Sequence, residues 1–201
     1  MKLGIYGGTF NPPHNGHINA VREAMNGLGL DGVLVIPTRV SPHKTIAGNS
    51  PPPEERLKMT EIAFDGMEHV TVSDVEIKRE GPSYTADTIG ELREMYPDTE
   101  FWLITGTDMF LSIQTWVRPE EILSSCGICA LSRGKGETEK LYRHAEFLTQ
   151  RYGAECAILD NSIVEVSSTE VREAVARGEG DGYLPAKLLD YIKAKGFYNG
   201  C

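Results

Sequence analysis

The chain has 201 residues, of which 40% are hydrophobic and 24% charged, so it is neither a disordered nor a collagen-like polymer, and a single domain over 1–201 with a full core is expected. Lys and Arg number 20 against 29 Asp and Glu, and the net charge of −9 argues against a nucleic-acid backbone or an anionic membrane as partner while leaving room for an anionic small molecule where cations gather locally. No stretch reaches the roughly 18 to 20 apolar residues of a membrane span, and Gly4, Gly7 and Gly8 interrupt the N-terminus before a signal-peptide core develops, so a cytoplasmic location is expected.

In chain order, "KLGIYG" reads as a strand and 17–29 as a helix, followed by the strand "GVLVIP" and a helix over 54–66. "VTVSDVEI" reads as a third strand, with a helix over 84–95 behind it. "EFWLITG" precedes helices over 107–113 and 119–124, and "GICALS" precedes one over 137–152. "CAILD" and "SIVEV" lead into a helix over 168–177, and a helix over 184–195 closes the chain. Strands and helices in alternation, with short continuous apolar strands, argue for a parallel sheet covered on both faces. Ligands of such sheets gather beyond the carboxyl ends of the strands.

Residues 37–53, "PTRVSPHKTIAGNSPPP", carry five prolines and no helical period. They predict a long surface loop, either a lid or binding loop or simple disorder. Cys126 and Cys129 form a CxxC, but a zinc site needs two further ligands, and Cys129 lies in an apolar run; buried or merely free thiols are expected.

The chemistry concentrates in "GIYGGTFNPPHNGHI", residues 4–18, which follows neither the dinucleotide nor the P-loop glycine pattern. Pro12 and Pro13 stop the first strand, Gly7 and Gly8 let backbone approach a ligand, and the helix beyond offers unpaired N–H groups and a positive dipole end, all suited to a triphosphate. His14 and His17, three apart at the helix start, can donate to the same phosphoryl oxygens. A zinc pair, or structural histidines satisfied by backbone, are the other readings of these two rings. Near the C-terminus, Ser167, Ser168 and Thr169 of "VSSTEVR" can cap a helix and offer hydroxyls to an anion, with Arg172 about one turn later; alone, this would be a capping box.

"GGTFNPPHNGH" resembles the nucleotidyltransferase superfamily with the HxGH signature, here His14-Asn15-Gly16-His17, and "VSSTEVR" resembles its ISSTxxR motif. "SYTADTI" (83–89), "TGTDMFLSIQTW" (105–116) and "SPHK" (41–44) narrow the likeness to the bacterial nicotinate-nucleotide adenylyltransferases, over residues 3 to about 198. Two departures stand out: Asn11 where that family often has Asp, and Ser41 where it usually has Pro. Asn11 is expected to replace Asp if the side chain only shapes the turn through local backbone.

The resemblance implies a Rossmann-like, doubly wound α/β fold with strand order like 3-2-1-4-5 and a site beside strand 1. It implies adenylyl transfer from ATP to nicotinate mononucleotide, giving deamido-NAD and pyrophosphate, by direct in-line displacement. His14, His17, Lys44 and Arg172 would be the catalytic cations and donors, and Gly7, Gly8, Thr9, Phe10, Gly16, Gly106, Ser167, Ser168 and Thr169 would hold ATP. Arg133 is a weaker phosphate candidate. Mg²⁺ would enter with ATP and bridge the leaving oxygens. The pyridine ring would lie against Trp116, its carboxylate at Thr85, and Asp108 near the ribose; taken singly, these three read as a core residue, a helix-start residue and a helix N-cap. A non-catalytic nucleotide sensor, a metal hydrolase and a pantetheine-phosphate adenylyltransferase are the competing readings, and a homo-oligomer stays open.

Overall fold

A computed structural model of the protein describes residues 1–42, 50–132, 136–160 and 166–199. Lys44, Arg133 and the expected strand "SIVEV" up to residue 165 lie outside them. The strands are β1 (Lys2–Gly8), β2 (Gly32–Pro37), β3 (Val70–Val72), β4 (Glu100–Gly106), β5 (Gly127–Ser132) and β6 (Cys156–Asp160). They form one sheet in the order β3-β2-β1-β4-β5-β6. β1 pairs parallel with β4, β4 with β5, and β5 with β6. The expected reversal of order beside the first strand is present, and the sixth strand extends the sheet past the fifth.

The helices are α1 (Asn15–Leu28), α2 (Pro53–Phe64), α3 (Val75–Lys78), α4 (Thr85–Met95), α5 (Thr107–Ser112), α6 (Pro119–Ser125), α7 (Thr138–Tyr152), α8 (Ser168–Ala176) and α9 (Ala186–Lys195), with a 3-10 turn over Ile113–Thr115. Every residue of β2 and β5 is buried, as a strand covered on both faces requires. α2 and α6 each begin on a proline, whose missing N–H costs nothing in the first turn.

"VTVSDVEI" departs from expectation, because only Val70–Val72 is strand and Val75–Lys78 is a helical turn. Its alternation of apolar and polar residues imitates a strand; the Ser73 N–H still donates to Val35 O of β2 at 2.9 Å, but its Oγ accepts from Val75 N at 3.4 Å, a local contact that starts the turn.

The chain divides into two compact units. The first comprises Met1–Tyr6, Ala20–Leu34 and Tyr84–Ile163, with a core that includes Ile5, Phe101, Leu103, Phe110 and Ile128. The second comprises Gly7–Asn19, Val35–Ser83 and Val164–Cys201, with Phe10, Ile36, Met59, Phe64 and Ile192 in its core. Both histidines of HNGH and all of SSTEVR fall in the second unit; Thr85, Gly106, Asp108 and Trp116 fall in the first.

Candidate functional site

In the second unit, β1 ends at Gly8 and the chain turns through Thr9–Pro13 into α1, with Phe10 at φ 47° and a cis Asn11–Pro12 peptide. Gly7 is exposed, and among the described residues no heavy atom beyond its chain neighbours lies within 4 Å of where a Cβ would stand, which leaves room for a ligand to approach. Gly8 has a different reason: a Cβ there would meet the Phe10 ring at 3.0 Å. The Phe10 side chain is buried, edge-on to His17 at 5.0 Å and to Phe64 at 6.5 Å between centroids. It packs against the histidine, and its side chain is not exposed to a ligand in this structure.

The His14 and His17 rings lie 3.7 Å apart, centroid to centroid, tilted by 32°. The His14 N–H donates to His17 Nδ1 at 3.1 Å, which assigns the His17 proton to Nε2 and makes that edge a donor. His14 is buried, and its Nδ1 has no hydrogen-bond partner among the described residues. Burial pushes its pKa down to about 4, against the opposing pull of the Glu170 carboxylate, so the ring is neutral at pH 7. A buried polar nitrogen without a partner is costly unless a ligand supplies one. Asn15 of the same signature anchors the helix start, its N–H donating to Tyr183 O at 2.9 Å and its amide to Gly182 O at 2.8 Å, while Gly16 is buried beside it.

α8 brings the C-terminal motif to this turn. Ser167 and Glu170 form the capping box expected of S-x-x-E: the Ser167 Oγ accepts from Glu170 N at 3.2 Å, and the Glu170 carboxylate accepts from Ser167 N at 2.7 Å. Ser168 Oγ donates to Pro12 O at 3.0 Å. Arg172 Nη1 donates to Asn11 O at 2.8 Å and Nη2 to Thr169 Oγ1 at 3.1 Å. Ser168 and Arg172 therefore fasten α8 to the Asn11–Pro12 turn, while Ser167, Thr169 and Glu170 bond within α8 and its cap, and the guanidinium has further donors beyond these two bonds.

In the first unit, Thr85 opens α4, and Tyr84 before it contributes no side-chain cap. Gly106, and not Asp108, sits at the N-cap of α5; Asp108 is exposed in the first turn. Trp116 follows the 3-10 turn and is half-buried, so it is not a fully enclosed core residue. Cys126 and Cys129 are both buried, with burial pushing each thiol up to about 12, which makes them poor thiolate ligands.

A family model described as cytidylyltransferase-like matches residues 5–174. A protein of Carboxydothermus hydrogenoformans, described as a probable nicotinate-nucleotide adenylyltransferase, is 35% identical over 198 residues, spanning 98% of each chain. One of Gloeobacter violaceus with the same description is 34% identical over 200 residues, 98% of this chain and 96% of its own. The chain belongs to the nicotinate-nucleotide adenylyltransferase family. The fold is likewise similar to that of the Plasmodium falciparum nicotinic acid mononucleotide adenylyltransferase complexed with NaAD, with a TM-score of 0.79 at 18% identity over 98% of this chain and 97% of that one.

Asn11, the departure from the family pattern, is held differently from the local-backbone arrangement expected. Its amide Nδ2 donates to Ser50 Oγ at 2.9 Å, and its Oδ1 accepts from the buried Tyr198 hydroxyl at 2.7 Å. A carboxylate could keep the Tyr198 contact but would need Ser50 to donate. Sequence reasoning also passed over Arg56. Its guanidinium is buried and donates to Thr9 O at 2.7 Å and Arg39 O at 2.9 Å, bracing the turn that follows β1. A charged residue in the first turns of a helix carries no signal that it will be swallowed by the core.

Proposed function

We propose that the protein transfers the adenylyl group of ATP to nicotinate mononucleotide, releasing pyrophosphate and giving deamido-NAD. What carries this reading is the pair of closely packed imidazoles at the head of α1, one with its Nδ1 held by main chain and the other with a buried nitrogen unpartnered among the described residues, in a turn to which the serine and arginine of the C-terminal motif are fastened. The attacking group is a phosphate monoester with a second pKa of about 6, already ionised at neutral pH, so the reaction needs no general base. His14 and His17 then serve to hold ATP and to stabilise charge developing on the α-phosphoryl as pyrophosphate leaves, with Arg172 and Lys44 adding positive charge. Gly7 and the Thr9 backbone line the phosphates. Thr85, Trp116, Asp108 and Gly106 would take the pyridine nucleotide and the adenylate.

The imidazole nitrogens of His14 and His17 suit phosphate oxygens, whereas Mg²⁺ prefers oxygen ligands; among the described residues no group of three or more His, Cys, Asp and Glu could hold an ion. In this reading Mg²⁺ would enter with the substrate, on the ATP phosphates. Among the described residues no helix is long and apolar enough to cross a membrane, and a cytoplasmic location accords with that.

The test is pyrophosphate release from MgATP with nicotinate mononucleotide, nicotinamide mononucleotide or phosphopantetheine. The acid should be the best acceptor, because the uncapped head of α4 suits a carboxylate; about tenfold to a hundredfold over the amide follows from the greater strength of charge-assisted hydrogen bonds. Release with phosphopantetheine instead would move the chain to another adenylyltransferase, and binding of ATP with no release would make it a nucleotide sensor.

A further inference from the structure

Arg118 stands out twice in the first unit. It is in the left-handed region, at φ 53° and ψ 57°, immediately before Pro119 at the head of α6. A side chain there is strained and persists only where its surroundings hold it. Its guanidinium donates through Nη2 to Asp87 Oδ1, in the first turn of α4, and through Nη1 to Glu121 Oε2 at 3.3 Å. Asp87 stands two residues after Thr85 and Arg118 two residues after Trp116, so one ion pair joins the two stretches assigned above to the pyridine nucleotide.

Both side chains are partly exposed, at 42% and 35%, and a pair of this kind adds little to stability. The sign of the charges matters more. A substrate carboxylate at the head of α4 gains from the free N–H groups, but Asp87 places a negative charge in that same turn and would repel it. The neutral amide would not be repelled. Arg118 is the charge that offsets Asp87.

We propose that Arg118 is a specificity-determining residue: by compensating Asp87 it lets the head of α4 favour an anionic pyridine substituent over a neutral one. The inference rests on the acceptor reading under the preceding heading. Its test is kcat/KM for nicotinate and nicotinamide mononucleotides at saturating MgATP, in the wild type, R118Q, R118K, D87N and D87N/R118Q. R118Q should lower the acid-to-amide ratio by about twofold to fivefold, chiefly through KM for the acid, with KM for ATP unchanged. R118K should keep most of the ratio, and D87N/R118Q should restore it, since the charge that needed compensation is gone. An R118Q variant that loses both substrates equally, or a double variant whose ratio stays as low as that of R118Q, overturns the inference. If R118Q does not fold, a ratio in D87N below that of the wild type overturns it as well, and one at or above the wild type supports it. The wild-type ratio separates the two readings: no acid preference removes the carboxylate site itself, whereas an acid preference that R118Q leaves intact removes only the part assigned to Arg118.

Discussion

His17 carries its proton on Nε2 because a backbone N–H, that of His14, occupies its other nitrogen at 3.1 Å. That bond sets the tautomer without a carboxylate, so the ring is a neutral donor aimed by main chain. His17→Ala should lower kcat by about 10²- to 10³-fold, the range for losing one charge-stabilising donor, with an unchanged circular-dichroism spectrum at 25 °C. Near-normal turnover would contradict the role. His14 makes a separate prediction about stability. Its pKa is lowered from 6.5 to about 4 by burial, so the unfolded chain binds the extra proton first, and stability present above pH 6.5 is lost as pH falls toward 4. The full effect is on the order of 3 kcal/mol. Melting curves between pH 7.5 and 4.5 should fall more steeply for the wild type than for His14→Gln, whose side chain does not titrate. Below that window the lowered carboxylates of Glu55, Asp65 and Glu170 add their own losses.

At the scale of elements, the turn leaving β1 uses its two glycines for different ends, and substitution separates them. Gly7→Ala puts a methyl into open space, so the melting temperature should hold while KM for ATP rises if the phosphates pass there. Gly8→Ala drives a Cβ against the Phe10 ring at 3.0 to 3.3 Å, and that ring is buried edge-on to His17. Here kcat and stability should fall together, the latter by about 1 to 3 kcal/mol. The 3-10 turn before Trp116 carries a further test. Trp116→Ala should weaken nicotinate mononucleotide far more than ATP, by about 1 to 3 kcal/mol, the worth of one aromatic stack. Equal loss of both substrates in steady-state kinetics would make Trp116 a packing residue.

For the whole molecule, the strand order β3-β2-β1-β4-β5-β6 puts β1 and β4 side by side in parallel register, Gly4 opposite Trp102. Gly4 is small for a packing reason: a Cβ would stand 2.8 Å from Ile104, 2.9 Å from Leu30 and 3.0 Å from Val33. Gly4→Ala should lower stability by about 1 to 3 kcal/mol in denaturant titrations while leaving kcat and KM at 25 °C intact, because it strains the sheet and touches no residue of the site. A loss of activity without a loss of stability would show that the first strand does more than carry the turn.

The βα alternation, the glycine turn, the capping box at Ser167–Glu170 and the two motifs that point to the family are all legible in the sequence. Each is written in a few consecutive residues, through side-chain periodicity, backbone freedom or a reach of three positions along the chain. "VTVSDVEI" shows the limit of such signals, since its alternation reads as one strand although the chain turns after Ser73, whose Oγ accepts the Val75 N–H. The rest was decided in three dimensions. Ser168 meets Pro12 across 156 positions and Arg172 meets Asn11 across 161, Tyr198 clamps the Asn11 amide from 187 positions away, and Arg56 is drawn under Thr9. A hydrogen bond between distant segments exists only once both have packed, and whether a charge is buried or solvated depends on what the fold lays over it; neither is encoded in the residues beside it.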